Sequence, residues 1–271
     1  MKKIIVLVLI FGLVLALGGC TTMRFAGHTT VRGNRDVTTQ TVSIDDEGSF
    51  RLEISGFSVQ NFTPMLIVDE NFAEHAAEIS IYADDNLHEH ISVDVRGNVI
   101  SIRSDDRTRL FPSQLRIYTG LPIEDLRLGG AWRVDVRCTR VEDFTARLSG
   151  SARGDFRLGE VDRLDLTGSG SARMTVSAIT QDTRVTLSGS GRVTLTGEAE
   201  TAEFRISGSG RAEAFDFPVQ SARVNISGSG RADVYVEEEL DARVSGSGRV
   251  VFDGNPRISQ HTSGSGRIST R

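Results

Sequence analysis

The chain has 271 residues, 38% hydrophobic and 25% charged, which excludes a wholly disordered polymer and allows one large domain or two small ones. Aromatic residues make up only 6%, so any core must be aliphatic. The formal charge is −5, and it would become −7 if the N-terminus bearing Lys2 and Lys3 were removed. All other basic residues are arginines without a basic run, which argues against nucleic acid as the main partner.

Residues 1–19 read as a signal peptide: Lys2 and Lys3, an apolar run from Ile4 to Leu17, then small residues. The run is short for a membrane span. Leu17-Gly18-Gly19-Cys20 resembles the bacterial lipobox, in which cleavage precedes the cysteine and the thiol carries a diacylglycerol. The resemblance makes Cys20 the lipidation site, and two or three acyl chains there would fix the protein to a membrane surface without crossing it. Thr21, in place of an aspartate after the cysteine, points to the outer membrane by the rule for such lipoproteins. With Cys20 acylated, Cys138 has no partner for a disulfide. Its setting, "VDVRCTRV", alternates like a strand and makes it a small structural residue.

Residues 20–44 are rich in Thr, Arg, Gly and Asn and read as a tether between lipid and domain. Residues 45–125 then alternate with period two in "FRLEISGF", "AEISIYA", "ISVDV", "VISIRS" and "LRIYTG", which predicts half-buried strands. Turn signals lie at Asp84-Asp85-Asn86 and Gly97-Asn98. Helical periodicity is almost absent, with room for a short turn around Glu70 to Ala77.

Residues 126–271 repeat. The residue before the first glycine of each corner is Gly129, Ser149, Thr167, Ser188, Ser207, Ser227, Ser245 or Ser263. A period near twenty residues with recurring apolar flanks predicts a solenoid of about eight coils, not a Gly/Ser linker. In "VTLSGSGRVTL", Val185, Leu187, Val193 and Leu195 share parity with Gly189 and Gly191, which predicts inward glycines and outward serines. The expected fold is therefore all-β, a parallel solenoid preceded by an N-terminal strand region, with each layer burying its neighbour's aliphatic residues.

The turn Ala83-Asp84-Asp85-Asn86-Leu87, the strand "GNVISI" at Gly97 to Ile102 and the serial "SGSG" corners together resemble the head (GIN) domain of putative autotransporter adhesins, a bacterial envelope family of largely unknown function. The resemblance spans roughly Phe50 to Ile268 and implies a right-handed parallel β-helix. Trp132 departs from it, standing at the second glycine position of the first corner, which suggests a cap or distorted turn.

Counting four residues on from each reference position gives Arg133, Arg153, Ser171, Arg192, Arg211, Arg231, Arg249 and Arg267. Two further lie Asp135, Asp155, Arg173, Thr194, Glu213, Asp233, Val251 and Ser269. Guanidinium groups about 5 Å apart repel unless paired or screened. The simplest account is mutual neutralisation of the two columns along a solvated face. The sharper one makes Arg192, Arg211, Arg231, Arg249 and Arg267 a ligand-facing ladder for a polyanion, above all in the last coils, where Val251 and Ser269 supply no acid.

His75, His88 and His90 with Asp84 and Asp85 could suggest a metal site, and His88 and His90, two apart, would share a strand face that zinc could use, yet surface histidines are common and no metal is expected. Neither a P-loop, a dinucleotide fingerprint, a nucleophile elbow nor a zinc-protease motif is present, so no cofactor and no catalytic residue is assigned. The function expected is that of a lipid-anchored cell-envelope protein, non-catalytic, presenting a repetitive Ser/Arg face to envelope or extracellular polysaccharide or protein. One alternative is a structural protein that self-associates through its solenoid ends, since the chain stops without an obvious polar cap. A lesser one is a polysaccharide-acting β-helix enzyme.

Overall fold

A computed structural model describes residues 8–10, 23–25, 28–45, 48–72, 75, 77–105, 107–139 and 141–271. Cys20 and most of the leader lie outside the described residues. The chain divides into two compact units, Met1–Arg137 and Cys138–Arg271. No helix among the described residues is long and apolar enough to cross a membrane.

The first unit mixes strand directions. Val37–Ser43, Glu78–Asp84, Leu115–Thr119, Met65–Asp69 and Arg133–Cys138 lie side by side, the first two pairings antiparallel and the next two parallel. Ile91–Arg96 and Val99–Ser104 form an antiparallel hairpin through Gly97, whose φ of 57° suits the tight turn. Phe50–Ser55 continues that sheet in parallel and leads to Ile123–Gly130. The period-two alternation has a direct physical outcome: Leu52, Ile54, Ile100, Ile102, Ile79 and Ile81 are at most 1% exposed, while Arg51, Glu53 and Arg103 face outward. A smaller sheet joins His28–Arg32 in parallel to Thr108–Phe111, and that strand in parallel to Ser58–Val59, with Met23–Phe25 antiparallel on His28–Arg32. A 3-10 helix forms at Asp85–His90, at the Asp84-Asp85-Asn86 turn signal, whereas the short turn expected around Glu70 to Ala77 lies partly outside the described residues.

The second unit is a β-solenoid. Bent strands Arg153–Gly170, Arg173–Gly189, Arg192–Gly208, Arg211–Gly228 and Arg231–Gly246 each run from one corner to the next and pair with their neighbours in parallel. Inward residues stack in columns. Val185, Phe204, Val224 and Ala242 form one, and Leu187, Ile206, Ile226 and Val244 another, all buried. Each fully buried side chain of this kind is worth about 1.5–3 kcal/mol, yet a single coil buries none of them without its neighbours. Phe204 and Phe217 are fully buried, as are the small Ala212 and Ala214, so large and small residues share a close-packed interior.

Several details differ from the sequence expectations. The solenoid has about seven turns rather than eight. The first corner, Gly129-Gly130-Ala131-Trp132, instead joins Ile123–Gly130 to Arg133–Cys138, which ladder onto Phe50–Ser55 and Met65–Asp69 of the first unit. There Trp132 is buried, edge-on to Phe57 with ring centroids 5.2 Å apart.

The frame of the third corner also shifts by two residues. Ser169 pairs with Ser188 and Gly170 with Gly189, so the reference residue is Ser169 rather than Thr167. Gly168 falls opposite Leu187 as an inward residue, and a Cβ there would meet Leu187 Cδ2 at 2.9 Å and Met174 Cε at 3.1 Å. The side chains of Met174 and Leu187 fill the place a larger residue would take.

Lastly, the two corner glycines differ. The second, as in Gly210, Gly230 and Gly248, is buried, whereas the first, as in Gly189 and Gly208, is exposed like the serines beside it. Alternation is broken because the first glycine adopts positive φ, 101° at Gly208. A Cβ on Gly208 would stand 2.8 Å from the Gly189 carbonyl oxygen. That oxygen accepts a hydrogen bond from the Ser209 N–H at 2.8 Å, and the Gly191 oxygen accepts one from the Arg211 N–H at 2.9 Å. The ladder therefore passes unbroken around the bend, and only a residue without a side chain lets two bends approach so closely. In the last turn, Gln260 and Thr262 stand opposite Ala242 and Val244 and remain exposed. Two aliphatic columns thus meet polar residues in this turn, whereas the Leu240 column continues to the exposed Ile258.

Candidate functional site

The corrected frame completes the arginine column. Arg173 pairs with Arg153 and with Arg192, and the ladder continues through Arg211, Arg231, Arg249 and Arg267. Ser171, assigned to the column from sequence, is instead a corner serine, and Arg173 leaves the neighbouring column to Thr175. All seven arginines follow their corners directly, so a fixed bend sets each guanidinium on one edge of the solenoid, one rung or about 4.8 Å from the next.

Their electrostatic settings differ. Arg231 Nε contacts both carboxylate oxygens of Asp233, at 2.8 and 2.9 Å, and Asp233 is buried. Arg192 and Arg211 share Glu213, each at 3.6 Å. Asp155 turns to Arg157 at 3.0 Å instead of to the column. Among the described residues, no carboxylate lies within ion-pair distance of Arg153, Arg173, Arg249 or Arg267. Neutralisation by adjacent acids accounts for the middle of the column and leaves both of its ends basic.

On the other side of the same corner an open groove of about 530 Å³ runs along the later coils. Its wall is the outward row Arg205, Asn225, Arg243 and His261, which pair in register, and its rim is the corner serines from Ser188 to Ser263. Arg205 is held by Glu203 at 2.7 Å and Arg243 by Asp241 at 2.9 Å, so these guanidiniums are oriented by partners one column away. Sequence reading missed this wall because its residue types vary from coil to coil. The groove thus offers hydroxyls, an amide, an imidazole and guanidinium groups beside the aliphatic Leu187, Ile206, Ile226 and Val244, and no carboxylate lines it. Such a groove can engage a long oxyanion-bearing molecule through many weak, charge-assisted contacts.

The histidines are not gathered. His88 and His90 lie on the 3-10 helix rather than on a strand, so the spacing of two does not give them a shared face. His88 Nε2 lies 3.3 Å from the Thr38 carbonyl oxygen, and His90 Nδ1 lies 2.9 Å from Asp105. His75, Glu78 and Ser80 do cluster, but Ser80 Oγ and Glu78 Oε1 both address the same ring nitrogen, Nδ1, at 3.3 and 2.8 Å. A nucleophile relay needs the two on opposite nitrogens, and Ser80 is 1% exposed.

Solved structures share the fold. A putative adhesin from Parabacteroides merdae is 22% identical with a TM-score of 0.76, covering 89% of this chain and 99% of that one. A putative lipid binding protein from Parabacteroides distasonis is 21% identical with a TM-score of 0.73 over 89% and 99%. A putative adhesin from the same species is 19% identical with a TM-score of 0.71 over 89% and 100%. Among curated proteins, none matches the chain significantly. Residues 73–256, which take in the 3-10 turn, the later strands of the mixed sheet and most of the serine-glycine corners, match the family described as "Putative auto-transporter adhesin, head GIN domain", and the chain belongs to that family.

Proposed function

We propose that the protein is a non-catalytic binding module of the cell envelope, lipid-anchored through Cys20 in the outer membrane, whose Ser/Arg corner edge captures an acidic polysaccharide. The observation that carries this reading is the split within the arginine column. Arg231 is committed to Asp233, whereas Arg249 and Arg267 stand one rung apart with no carboxylate partner among the described residues. Like charges so placed destabilise one another by a modest amount, and an anionic ligand would relieve that cost. Rungs repeat every 4.8 Å or so, so each anionic group of a linear glycan meets a donor without the protein rearranging.

The family description and the adhesin names of the structural neighbours favour a binding role. Against a polysaccharide lyase stands the composition of the acidic groove on the return side of the coils. Glu160, Asp162, Glu198, Glu200 and Glu237 line it without any arginine, lysine or histidine. A polysaccharide lyase would need an acid and a base in one unequal cluster.

A glycan-array screen of the purified chain tests the reading. Binding to uronic-acid or sulfated glycans is expected, weakened in Arg249→Gln and Arg267→Gln and by added salt. Binding unchanged in the double variant would remove the corner edge from the account. Retention on anionic phospholipid vesicles but on no glycan would replace the polysaccharide with a lipid headgroup.

A further inference from the structure

Among the described residues, two that are not glycine have positive φ: Arg35 at 69° and Asn61 at 60°. Both line the same cavity of the first unit, a recess of about 240 Å³ bordered also by Arg32, Gln60, Phe111 and Ser113. Left-handed backbone at a non-glycine residue persists only where the surroundings enforce it, and it concentrates at binding sites.

At Arg35 the enforcing group is Asp84, which is fully buried. Its Oδ1 accepts the Arg35 N–H at 2.7 Å and the Ser113 hydroxyl at 2.6 Å, and its Oδ2 accepts the Ser113 N–H at 2.7 Å. Gly33 makes room for the carboxylate, since a Cβ there would lie 2.2 Å from Asp84 Oδ2. Asn86 adds a second clamp, accepting the Asn34 N–H at 2.9 Å and donating to the Arg32 carbonyl at 2.8 Å. Gln60 N–H donates to the Leu110 carbonyl at 2.9 Å, tying in the third segment. The walls are therefore fixed in advance.

What they present is cationic. Arg32 lies over the Phe111 ring, 5.6 Å from its centroid, which orients the guanidinium. Among the described residues, neither Arg32 nor Arg35 has a carboxylate within ion-pair distance. The Asp84 charge that would otherwise oppose an anion is already met by three hydrogen bonds. The geometry points to a preformed site for one compact oxyanion, the carboxylate of an acidic sugar or a phosphate monoester, held by Arg32 and Arg35 with the Gln60 and Asn61 amides. Ordinary small-molecule sites measure about 300–1,000 Å³; a smaller recess takes a single group rather than a chain. It is thus distinct from the long corner edge of the solenoid.

The test titrates the full chain separately with sodium glucuronate, inorganic phosphate and glucose, following backbone amides by NMR. Saturable shifts at Arg35 and Asn61 with glucuronate, phosphate or both are expected, and none with glucose. A response to glucuronate alone identifies an acidic sugar as the source, and one to phosphate alone a phosphate monoester. Arg32→Gln or Arg35→Gln, both on exposed side chains, should weaken binding about tenfold, the loss of one charge-assisted hydrogen bond. No saturable response to either anion, or a response that survives the Arg32→Gln/Arg35→Gln double change, overturns the proposal whatever the glycan array shows.

Discussion

Gly33 and Gly208 are both required, for unlike reasons that separate the two units. Gly33 leaves space for one side chain, Asp84, which no pattern in its own neighbourhood announces. Gly208 leaves space for a copy of itself, the Gly189 carbonyl one turn back. The first unit is assembled from single contacts between distant segments, the second from one contact set repeated by translation. A defect in the first should stay local, and a defect in the second should pass along the stack.

The largest effect expected is from Phe204→Ala. Phe204 is completely buried at the centre of a column, and truncation there should cost about 3–5 kcal/mol in urea unfolding, the transfer loss plus an unfilled cavity. Hydrogen exchange should accelerate in the turns on both sides, not in Arg192–Gly208 alone. Faster exchange confined to that single strand would mean that the turns do not cooperate.

Intermediate effects are expected from the glycines themselves. Gly208→Ala combines a left-handed penalty with overpacking against a carbonyl, about 2–4 kcal/mol together, and it should loosen the corners at Gly189 and Gly228. Gly33→Ala meets the Asp84 carboxylate, and exchange should rise only at Gly33–Arg35 and Ser113, the segments Asp84 clamps. If Gly33→Ala destabilised the solenoid as much as Gly208→Ala does, the division between local and propagating order would fail.

The same contrast explains what sequence alone disclosed. Translational order is legible because each turn restates the rule: the parity of Val185, Leu187, Val193 and Leu195 is the parity found in the fold. It misled where the text was ambiguous, at Thr167-Gly168-Ser169-Gly170, since either glycine could begin the corner and only pairing with Ser188 decides. The role of Asp84 was not legible, although its turn carried much of the family resemblance. Its partners Arg35 and Ser113 are 49 and 29 residues away, and two of its three hydrogen bonds come from backbone N–H groups, which no side-chain pattern encodes. The arginine column was visible as a column, but which members are neutralised depends on Glu213 reaching two rungs and Asp155 turning to Arg157.

That last distinction yields the smallest stability effect and separates structural from ligand-facing arginines. Arg231→Gln removes the partner of a buried carboxylate; with Arg231 itself 37% exposed, solvent softens the loss to about 1 kcal/mol. Arg249→Gln removes a charge that no acid answers and that faces Arg231 and Arg267 in the adjoining rungs, so stability should stay within about 0.5 kcal/mol or rise slightly as repulsion is relieved. Urea midpoints of the two variants, measured at low and high salt, would show whether the column is uniform. Equal losses would make all its arginines structural, whereas a loss at Arg231 alone leaves Arg249 as a charge held out to solvent at no benefit to the fold, which is what a binding edge requires.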